Sequence, residues 1–151
     1  MSRTFFTANL PAVTTPGPNE TLIQIVPAAD LRVALKSIEL MPLGATGASQ
    51  PITFHLVIQD GAGTSSDGTS NLVKNSPAAG HTLQTTARTA FTVEPSTNTL
   101  QYAFSLHQQG SRIWVPPNAY GEIIMEVGTR WGLRVVDTLT YNIAVAMQLE
   151  E

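Results

Sequence analysis

The fold is decided most clearly by residues 139–149, which read LTYNIAVAMQL. Large apolar residues occupy every second position of this stretch, and Thr, Asn, Ala or Gln stand between them. Strict alternation of this kind is typical of a β-strand with one face in a hydrophobic core. Because the alternate positions carry small or polar residues, we expect a long central strand whose outer face lets another backbone or sheet pack closely.

Shorter stretches with the same alternation follow each other along the chain, separated by Pro or Gly. The rhythm of alternating strands and helices that produces a parallel sheet is absent from the sequence. About eight or nine strands of this kind predict an all-β fold, an antiparallel β-sandwich or jelly roll. The other predicted strands are residues 21–26, 31–41, 52–59, 82–93, 100–107, 113–115, 123–127 and 131–135.

Residues 31–41 allow two interpretations. Their apolar residues alternate as far as Leu35 and continue from Ile38 on the opposite parity, which indicates a β-bulge near Lys36 and Ser37. The same stretch also fits the spacing of a helix. We predict a strand, because every clear neighbour is a strand.

Residues 1–19 are predicted to form an extended N-terminal arm, followed by a single jelly-roll domain of residues 20–151. Prolines and a glycine in this segment disfavour regular structure. Phe5, Phe6 and Leu10 would be costly to leave in water. The arm is therefore expected either to fold back on its own domain or to dock on a neighbouring protein, where these residues would bind the partner.

Residues 60–80 are predicted to form a long loop, since Leu72 and Val73 are their only large apolar residues. A structureless connection of ~20 residues is rare in a compact domain and is usually functional or mobile. The stretch from Asp60 to Gly68 superficially resembles a calcium-binding loop. It lacks the dense acidic spacing of such a loop, so we interpret it as a flexible connection.

The composition is unusual in its low charge. Charged residues make up 13% of the chain, about half of the usual ~25%. Neutral polar side chains cost less to desolvate than ions do, so such a surface suits a protein that binds other proteins. An equally simple interpretation is a threonine-rich β-sheet surface, because Thr favours strands.

Charge and sequence composition also bear on partners and location. The net charge of −3 and the absence of a basic run argue against a nucleic-acid partner. No apolar stretch approaches the ~18 residues of a membrane span. The N-terminal residues lack the apolar core of a signal peptide, so we expect synthesis in a cytoplasm without export by the standard route.

The sequence shows no recognisable catalytic or metal site, and we predict that the protein is not an enzyme and has no cofactor. The chain has no cysteine, and His55, His81 and His107 do not form the His-x-His pair of metal-binding jelly rolls. Glu122 and Glu126, four positions apart on one strand face, would be separated by ~13 Å. This separation exceeds that of the carboxylate pairs of glycosidases.

Trp114 and Arg112 are a further pair of candidate binding residues. Trp114 has the parity opposite to that of Ile113 and Val115, which predicts that its ring faces outward beside Arg112. An outward Trp is a plausible contact hot spot or a sugar-stacking platform. The alternative is that Trp114 closes the open end of the sandwich.

Three features occur together in a familiar order: the stretches 32–40 and 52–56, the Asp-Gly turn of residues 60–64, and the closing set from residue 113 to residue 145. In this order the chain resembles the small jelly-roll capsid decoration (cement) proteins of tailed bacteriophages. The resemblance extends over roughly residues 21–149 and includes no diagnostic residue. No functional residue can be transferred from that family.

The resemblance implies a virion structural protein on the capsid surface. It would bind the major capsid protein and would itself form a homodimer or homotrimer. The alternative is a carbohydrate- or receptor-binding jelly-roll module of a phage fibre or tail. An enzyme on a jelly-roll scaffold is a third class, which the missing ligand pattern disfavours.

Overall fold

The computed structural model of the protein describes residues 4–14, 18–43, 51–67, 72–75, 82–96, 98–107, 110–138 and 142–151. These ranges contain no helix, and therefore none that is long and apolar enough to cross a membrane. Their strands are β1 (Phe5–Thr14), β2 (Glu20–Val26), β3 (Val33–Pro42), β4 (Pro51–Gln59), β5 (Thr64–Asp67), β6 (Leu72–Lys74), β7 (Thr86–Val93), β8 (Asn98–His107), β9 (Arg112–Trp114), β10 (Ile123–Met125), β11 (Trp131–Val135) and β12 (Asn142–Glu150).

The strands form two six-stranded antiparallel sheets, which confirms the prediction of an all-β sandwich. In sheet A the order is β10-β3-β12-β1-β6, and β9 pairs with β3 on the same edge as β10. In sheet B the order is β5-β7-β2-β11-β4-β8. Buried apolar residues of both sheets form one hydrophobic core between them.

The strand pairs are nested along the chain. β1 pairs with β12, β2 with β11, β3 with both β9 and β10, and β4 with β8. From β1 to β4, successive strands lie in alternate sheets, so the chain crosses between the layers at each connection. The nested pairs form one long antiparallel ribbon that is folded over the two sheets. In the sequence, β5, β6 and β7 lie between β4 and β8, where the chain reverses direction.

The core follows from the alternation of the strands. In β12 the large apolar residues are buried and the small ones lie on the outer face, as predicted. The ring of Trp114 in sheet A stacks on Phe104 of sheet B with 5.0 Å between centroids, and Phe104 stacks on Phe54 at 5.9 Å. These rings join the two layers, and offset aromatic pairs contribute about 0.5–1.5 kcal/mol each beyond their buried area.

The predicted bulge in β3 is confirmed. Leu35 pairs with Leu149 and Ser37 pairs with Gln148, so Lys36 has no counterpart on β12. The extra residue restores the inward parity of the apolar side chains on both sides of the bulge. The stretch is therefore a strand and not a helix.

The expectation of an extended N-terminal arm is wrong for residues 5–14 of that segment. This part is strand β1, which lies inside sheet A between β12 and β6. Phe6 and Leu10 are buried in the core, so the alternative of folding back on the domain is the one that holds. The register shifts between Leu10 and Val13, and Pro11, which has no N–H to donate, falls at this irregularity instead of ending the strand.

The segment 60–80 is not a structureless loop, because it contributes β5 and β6. β5 pairs with β7 at the edge of sheet B, and β6 pairs with β1 at the edge of sheet A. The residues of β5 are Thr, Ser and Asp, which show no apolar alternation, so ladder hydrogen bonds from the neighbour define this strand. Residues 68–71 and 76–80 lie outside the described residues.

Replacing Phe6 by Ala is expected to lower the free energy of unfolding by about 3–5 kcal/mol, because its fully buried ring would leave a cavity. Urea unfolding followed by circular dichroism measures this change. Phe5→Ala is the control, since the neighbouring ring is half exposed, and about 1 kcal/mol or less is expected for it. Equally small effects of both variants would contradict the placement of β1 inside the sheet.

Candidate functional site

The outer face of sheet A, which we call the sheet A face, carries side chains from six strands in register. Cross-strand pairing sets which of these side chains are neighbours. Three rows can be followed across the sheet from its pairing register. They are Phe5, Glu150, Ala34 and Ile124, then Val73, Thr7, Gln148 and Ser37, then Asn9, Ala146, Glu39 and Ile113.

Exposed large apolar side chains stand at both margins of the sheet A face. Phe5 and Val73 occupy one margin, and Ile113 and Ile124 occupy the other. Between the margins the sheet A face contains an open depression of about 290 Å³. The outward side chains that line this depression are Asn9, Pro11, Met41, Val73, Ala144 and Ala146. The sheet A face thus has apolar side chains at its margins, with polar and small side chains between them.

The charges on the sheet A face are concentrated at one end, around Lys36 at the bulge of β3. Lys36 Nζ lies 2.9 Å from the Glu150 carboxylate and also forms an ion pair with Glu122. The hydrogen bond that Lys36 donates to Glu122 raises the pKa of Lys36 above its ordinary value, burial opposes this, and Glu150 raises it further. The rest of the face is almost uncharged, and Glu39 is the charged residue of its third row.

A second surface is formed by residues 113–127, which we call the edge segment. It contains β9, β10 and the turn between them, at the open edge of sheet A. Five of the ten exposed large apolar side chains found in the described residues belong to it. They are Ile113, Val115, Tyr120, Ile124 and Val127.

The turn of the edge segment holds Tyr120 in a defined position. The Asn118 side-chain oxygen accepts hydrogen bonds from the backbone N–H groups of Tyr120 and Glu122, both at 3.2 Å. Gly121 has φ of +63°, a left-handed conformation that a residue with a Cβ rarely adopts. The Tyr120 residue, held on this turn, is 87% exposed. An aromatic side chain on a fixed backbone is a favourable contact residue, because the backbone loses little entropy on binding and the side chain has only two rotatable bonds.

Sequence reasoning missed Tyr120. The signal that could have indicated it is the Asn118-to-Gly121 spacing directly after Pro116 and Pro117, which is typical of a tight turn. An aromatic residue inside such a turn has no strand parity that would direct it into the core. Exposure of Tyr120 follows from the turn alone.

The prediction that Trp114 faces outward is wrong. Trp114 is 7% exposed, stacks on Phe104, and contacts Tyr102 edge to face with 5.4 Å between ring centroids. It pairs with Ile38, whose side chain points into the core, so the register of β9 turns the ring inward. Trp114 is therefore a core residue, and Ile113 faces outward in its place.

The other predicted binding residues are distributed over different surroundings. Phe6 and Leu10 are buried in the core, whereas Phe5 is exposed on the sheet A face. Arg112 is exposed, and its guanidinium donates a hydrogen bond of 2.6 Å to the backbone oxygen of Ser105. The structure therefore does not bring the predicted residues together in one site.

The outer side of sheet B is covered in part by the protein's own chain, through hydrogen bonds to the connection between β7 and β8. The Glu94 carboxylate accepts hydrogen bonds from the N–H and the hydroxyl of Thr21. Gln59 Nε2 donates to the Asn98 side-chain oxygen at 2.8 Å, and Gln24 Nε2 donates to Gln59 Oε1 at 2.7 Å. Gln24 and Gln59 are almost fully buried, so this polar cluster fastens the connection to the sheet.

The carboxylates and histidines of the described residues do not assemble into a group of three or more that could hold a metal ion. Glu122 pairs with Lys36, and Glu126 pairs with Arg32 at 2.9 Å, so the two carboxylates belong to separate ion pairs. His81 lies outside the described residues. The chemistry that the described surfaces offer is contact through apolar and neutral polar side chains.

Comparison of the chain with models of protein families, with curated proteins and with solved structures gave no match. The function proposed for the protein therefore rests on its own residues and their geometry.

Gly132→Ala is expected to destabilise the fold by about 1–3 kcal/mol, because a Cβ at this position would lie 2.5 Å from side-chain atoms of Gln59. Thermal unfolding measures the loss. Adding Gln59→Ala should recover part of it, since the clashing atoms are removed. Gly110→Ala is the control, because its Cβ would meet neighbours at ordinary distances of 3.6 Å or more. Equal effects of the two glycine variants would contradict the close packing over Gly132.

Lys36→Gln tests the ion-pair cluster through pH. The pKa of Lys36 is raised in the folded state. Its charge therefore contributes its full stabilisation below pH 10.5, the ordinary lysine value, and this stabilisation is lost as the pH rises through the higher folded pKa. The stability difference between wild type and K36Q, measured by urea unfolding, should shrink in that window. Arg32→Gln is the control, since arginine stays charged there. A K36Q difference that persists unchanged above the window would contradict this account.

Proposed function

We propose that the protein is a virion structural protein, a capsid decoration (cement) protein that binds and stabilises the head shell of a tailed phage. Its partners in this proposal are the major capsid protein and further copies of itself. The observation that carries the proposal is the edge segment, which presents five exposed large apolar side chains, among them Tyr120 on a hydrogen-bonded turn.

The fold supports this proposal. The nested strand pairs and the alternation of early strands between two sheets are what a jelly roll requires, namely a ribbon rolled over two layers. Jelly rolls are common in viral capsid proteins and in lectins. A fold alone does not determine function, so the argument depends on the surface that the fold presents.

The surface chemistry supports binding to a protein shell. The edge segment offers apolar side chains and a tyrosine, the residue types that contribute most at the centre of protein interfaces. The low charge of the chain, 13% of its residues, keeps the cost of desolvation small. A protein that binds only the assembled shell stabilises it by mass action, and no chemical step is needed.

The second candidate is the carbohydrate- or receptor-binding module of a phage fibre or tail. Tyr120 is the specific observation in its favour, because an exposed aromatic ring can stack on a sugar. Asn118 stands beside it, but its side chain is already engaged by the backbone of the turn. Polar groups that would orient a sugar are thus less available than the apolar contacts that suit a protein.

Immunogold labelling of phage particles purified from the source organism tests the proposed location. An antibody raised against the purified protein should label the head surface, and the protein should sediment with the particles. Labelling confined to the tail or its fibres would support the second candidate instead. Absence of the protein from purified particles would overturn both proposals.

Tyr120→Ser tests the role of the edge segment. We expect its affinity for shells that lack the wild-type protein to fall by about 30-fold, the size of an interface hot spot of about 2 kcal/mol. Leu100→Ser is the matched control, because Leu100 is a half-exposed apolar residue of β8 in sheet B. Co-sedimentation with shells measures both. Equal binding of the two variants would show that Tyr120 does not contact the shell.

A further inference from the structure

The two outer faces of the sandwich differ in what covers them. On sheet B, Gln24 and Gln59 are buried and hydrogen-bonded to each other, and Glu94 of the connection between β7 and β8 accepts hydrogen bonds from Thr21. On sheet A the outer side chains include exposed Phe5, Val73 and Ile113. The strands of sheet A thus carry more exposed large apolar side chains than those of sheet B, whose exposed ones are Val93 and Leu100, and we take the sheet A face as the candidate contact surface.

We propose that the sheet A face binds a second copy of this chain, stacked face to face about a two-fold axis parallel to β12. The proposal concerns the purified chain alone and goes beyond the proposed attachment to a shell. It follows from a property of the face that a two-fold contact requires, namely that the patch is complementary to itself.

The complementarity can be read from the strand order. β12 lies between β1 on one side and β3 on the other. A two-fold axis along β12 exchanges these sides, so each outward residue of β1 meets the β3 residue of the same row in the partner copy. The pairs that result are Phe5 with Ala34, Thr7 with Ser37, and Asn9 with Glu39.

Each of these pairs is compatible in size or polarity. The half-exposed ring of Phe5 meets the small side chain of Ala34, so a bulky residue fits over a low point of the sheet A face. Thr7 and Ser37 are both short, so neither obstructs the approach of the second sheet, and the Thr7 hydroxyl is engaged within its own chain by Asn75 and Gln148.

Asn9 and Glu39 supply the charge complementarity of the contact. Glu39 has no ion pair within the described ranges. The amide of Asn9 in the partner copy can donate a hydrogen bond to its carboxylate, and bonds of this charge-assisted kind are about twice as strong as neutral ones. The two-fold axis makes this contact twice.

On the axis itself, the outer residues of β12 meet their own copies, and the carboxylate of Glu150 at one end of this row is paired with Lys36 of its own chain at 2.9 Å. Ala144 and Ala146 leave room for a second sheet at the usual separation of about 10 Å. The depression between Pro11 and Met41 lies beside them. Under the same axis Met41 of one copy faces Pro11 of the other, so each copy fills the depression of its partner.

The area is sufficient for a stable dimer. The six strands of sheet A contain 38 residues, and at about 3.4 Å along and about 4.8 Å across for each residue they give a face of roughly 600 Å². The lower end of specific interfaces is about 600 Å² per partner. The contact is also almost free of charge away from Lys36, which keeps the desolvation cost low.

Sedimentation equilibrium of the purified protein at micromolar concentrations tests the proposal. We expect a monomer–dimer equilibrium. Ala146→Glu places a carboxylate on the axis and should raise the dissociation constant by about a hundredfold. Ala103→Glu is the matched control, because Ala103 is an exposed alanine of β8 in sheet B, and its dimer should be unchanged.

An exchange of two side chains tests the orientation of the axis. Asn9→Asp sets a carboxylate against Glu39 of the partner copy at each of the two symmetric contacts and should weaken the dimer by at least about tenfold. Adding Glu39→Asn returns the Asn–carboxylate contact with the two residues exchanged, and should restore the dissociation constant to within about threefold of the wild-type value. Circular dichroism of each variant checks that the monomer remains folded.

A monomer at all concentrations, a trimer, or a dimer that A103E disrupts and A146E leaves intact would each overturn the proposal. A dimer that N9D weakens and that the added Glu39→Asn does not restore would overturn the proposed orientation of the two-fold axis. None of these measurements involves phage particles. A result that excludes the dimer is thus distinguishable from a result that finds no protein on the phage head.

Discussion

The pairing of β1 with β12 is the constraint on which the rest of the structure depends. It joins strands from opposite ends of the chain, so that Phe5 pairs with Glu150. β12 also pairs with β3, and sheet A therefore has no centre until the last strand is in place. Contacts of such long sequence separation make folding slow. The same pairing creates the sheet A face, because the small outer residues of β12 lie between the margins that β1, β3 and the edge strands provide.

Much of the fold could be predicted because strand alternation is a local property. The pattern of residues 139–149 predicted the buried face of β12, and the parity change near Lys36 predicted the bulge of β3. The prediction of an N-terminal arm was wrong for a physical reason. Proline was taken to end regular structure, but Pro11 falls at a register shift, where its missing N–H costs no ladder bond. Burial of Phe6 then holds β1 in the sheet.

The candidate surfaces depend on register, which no local pattern contains. Trp114 lies in a strand of three residues, too short for its parity to be assigned, and its pairing with Ile38 turns the ring inward. Residues of the sheet A face come from six strands and become neighbours only through pairing. The cluster of Gln24 and Gln59 is equally non-local, because its hydrogen bonds join Gln24 of β2, Gln59 of β4 and Asn98 of β8. Tyr120, in contrast, could have been found from its turn.

The last backbone pair of the ribbon determines how the molecule responds to mechanical load. Thr4 and Glu151 exchange two backbone hydrogen bonds, of 2.8 and 3.0 Å, so the two ends of the described chain lie side by side. Tension applied to these ends would open β1 from β12 one pair at a time, as a zipper opens, since antiparallel ladder bonds run perpendicular to the strands. Tension along the strands, transmitted through their outer faces, would have to break many ladder bonds at once. The molecule is therefore mechanically strong when gripped by its faces and weak when pulled by its ends.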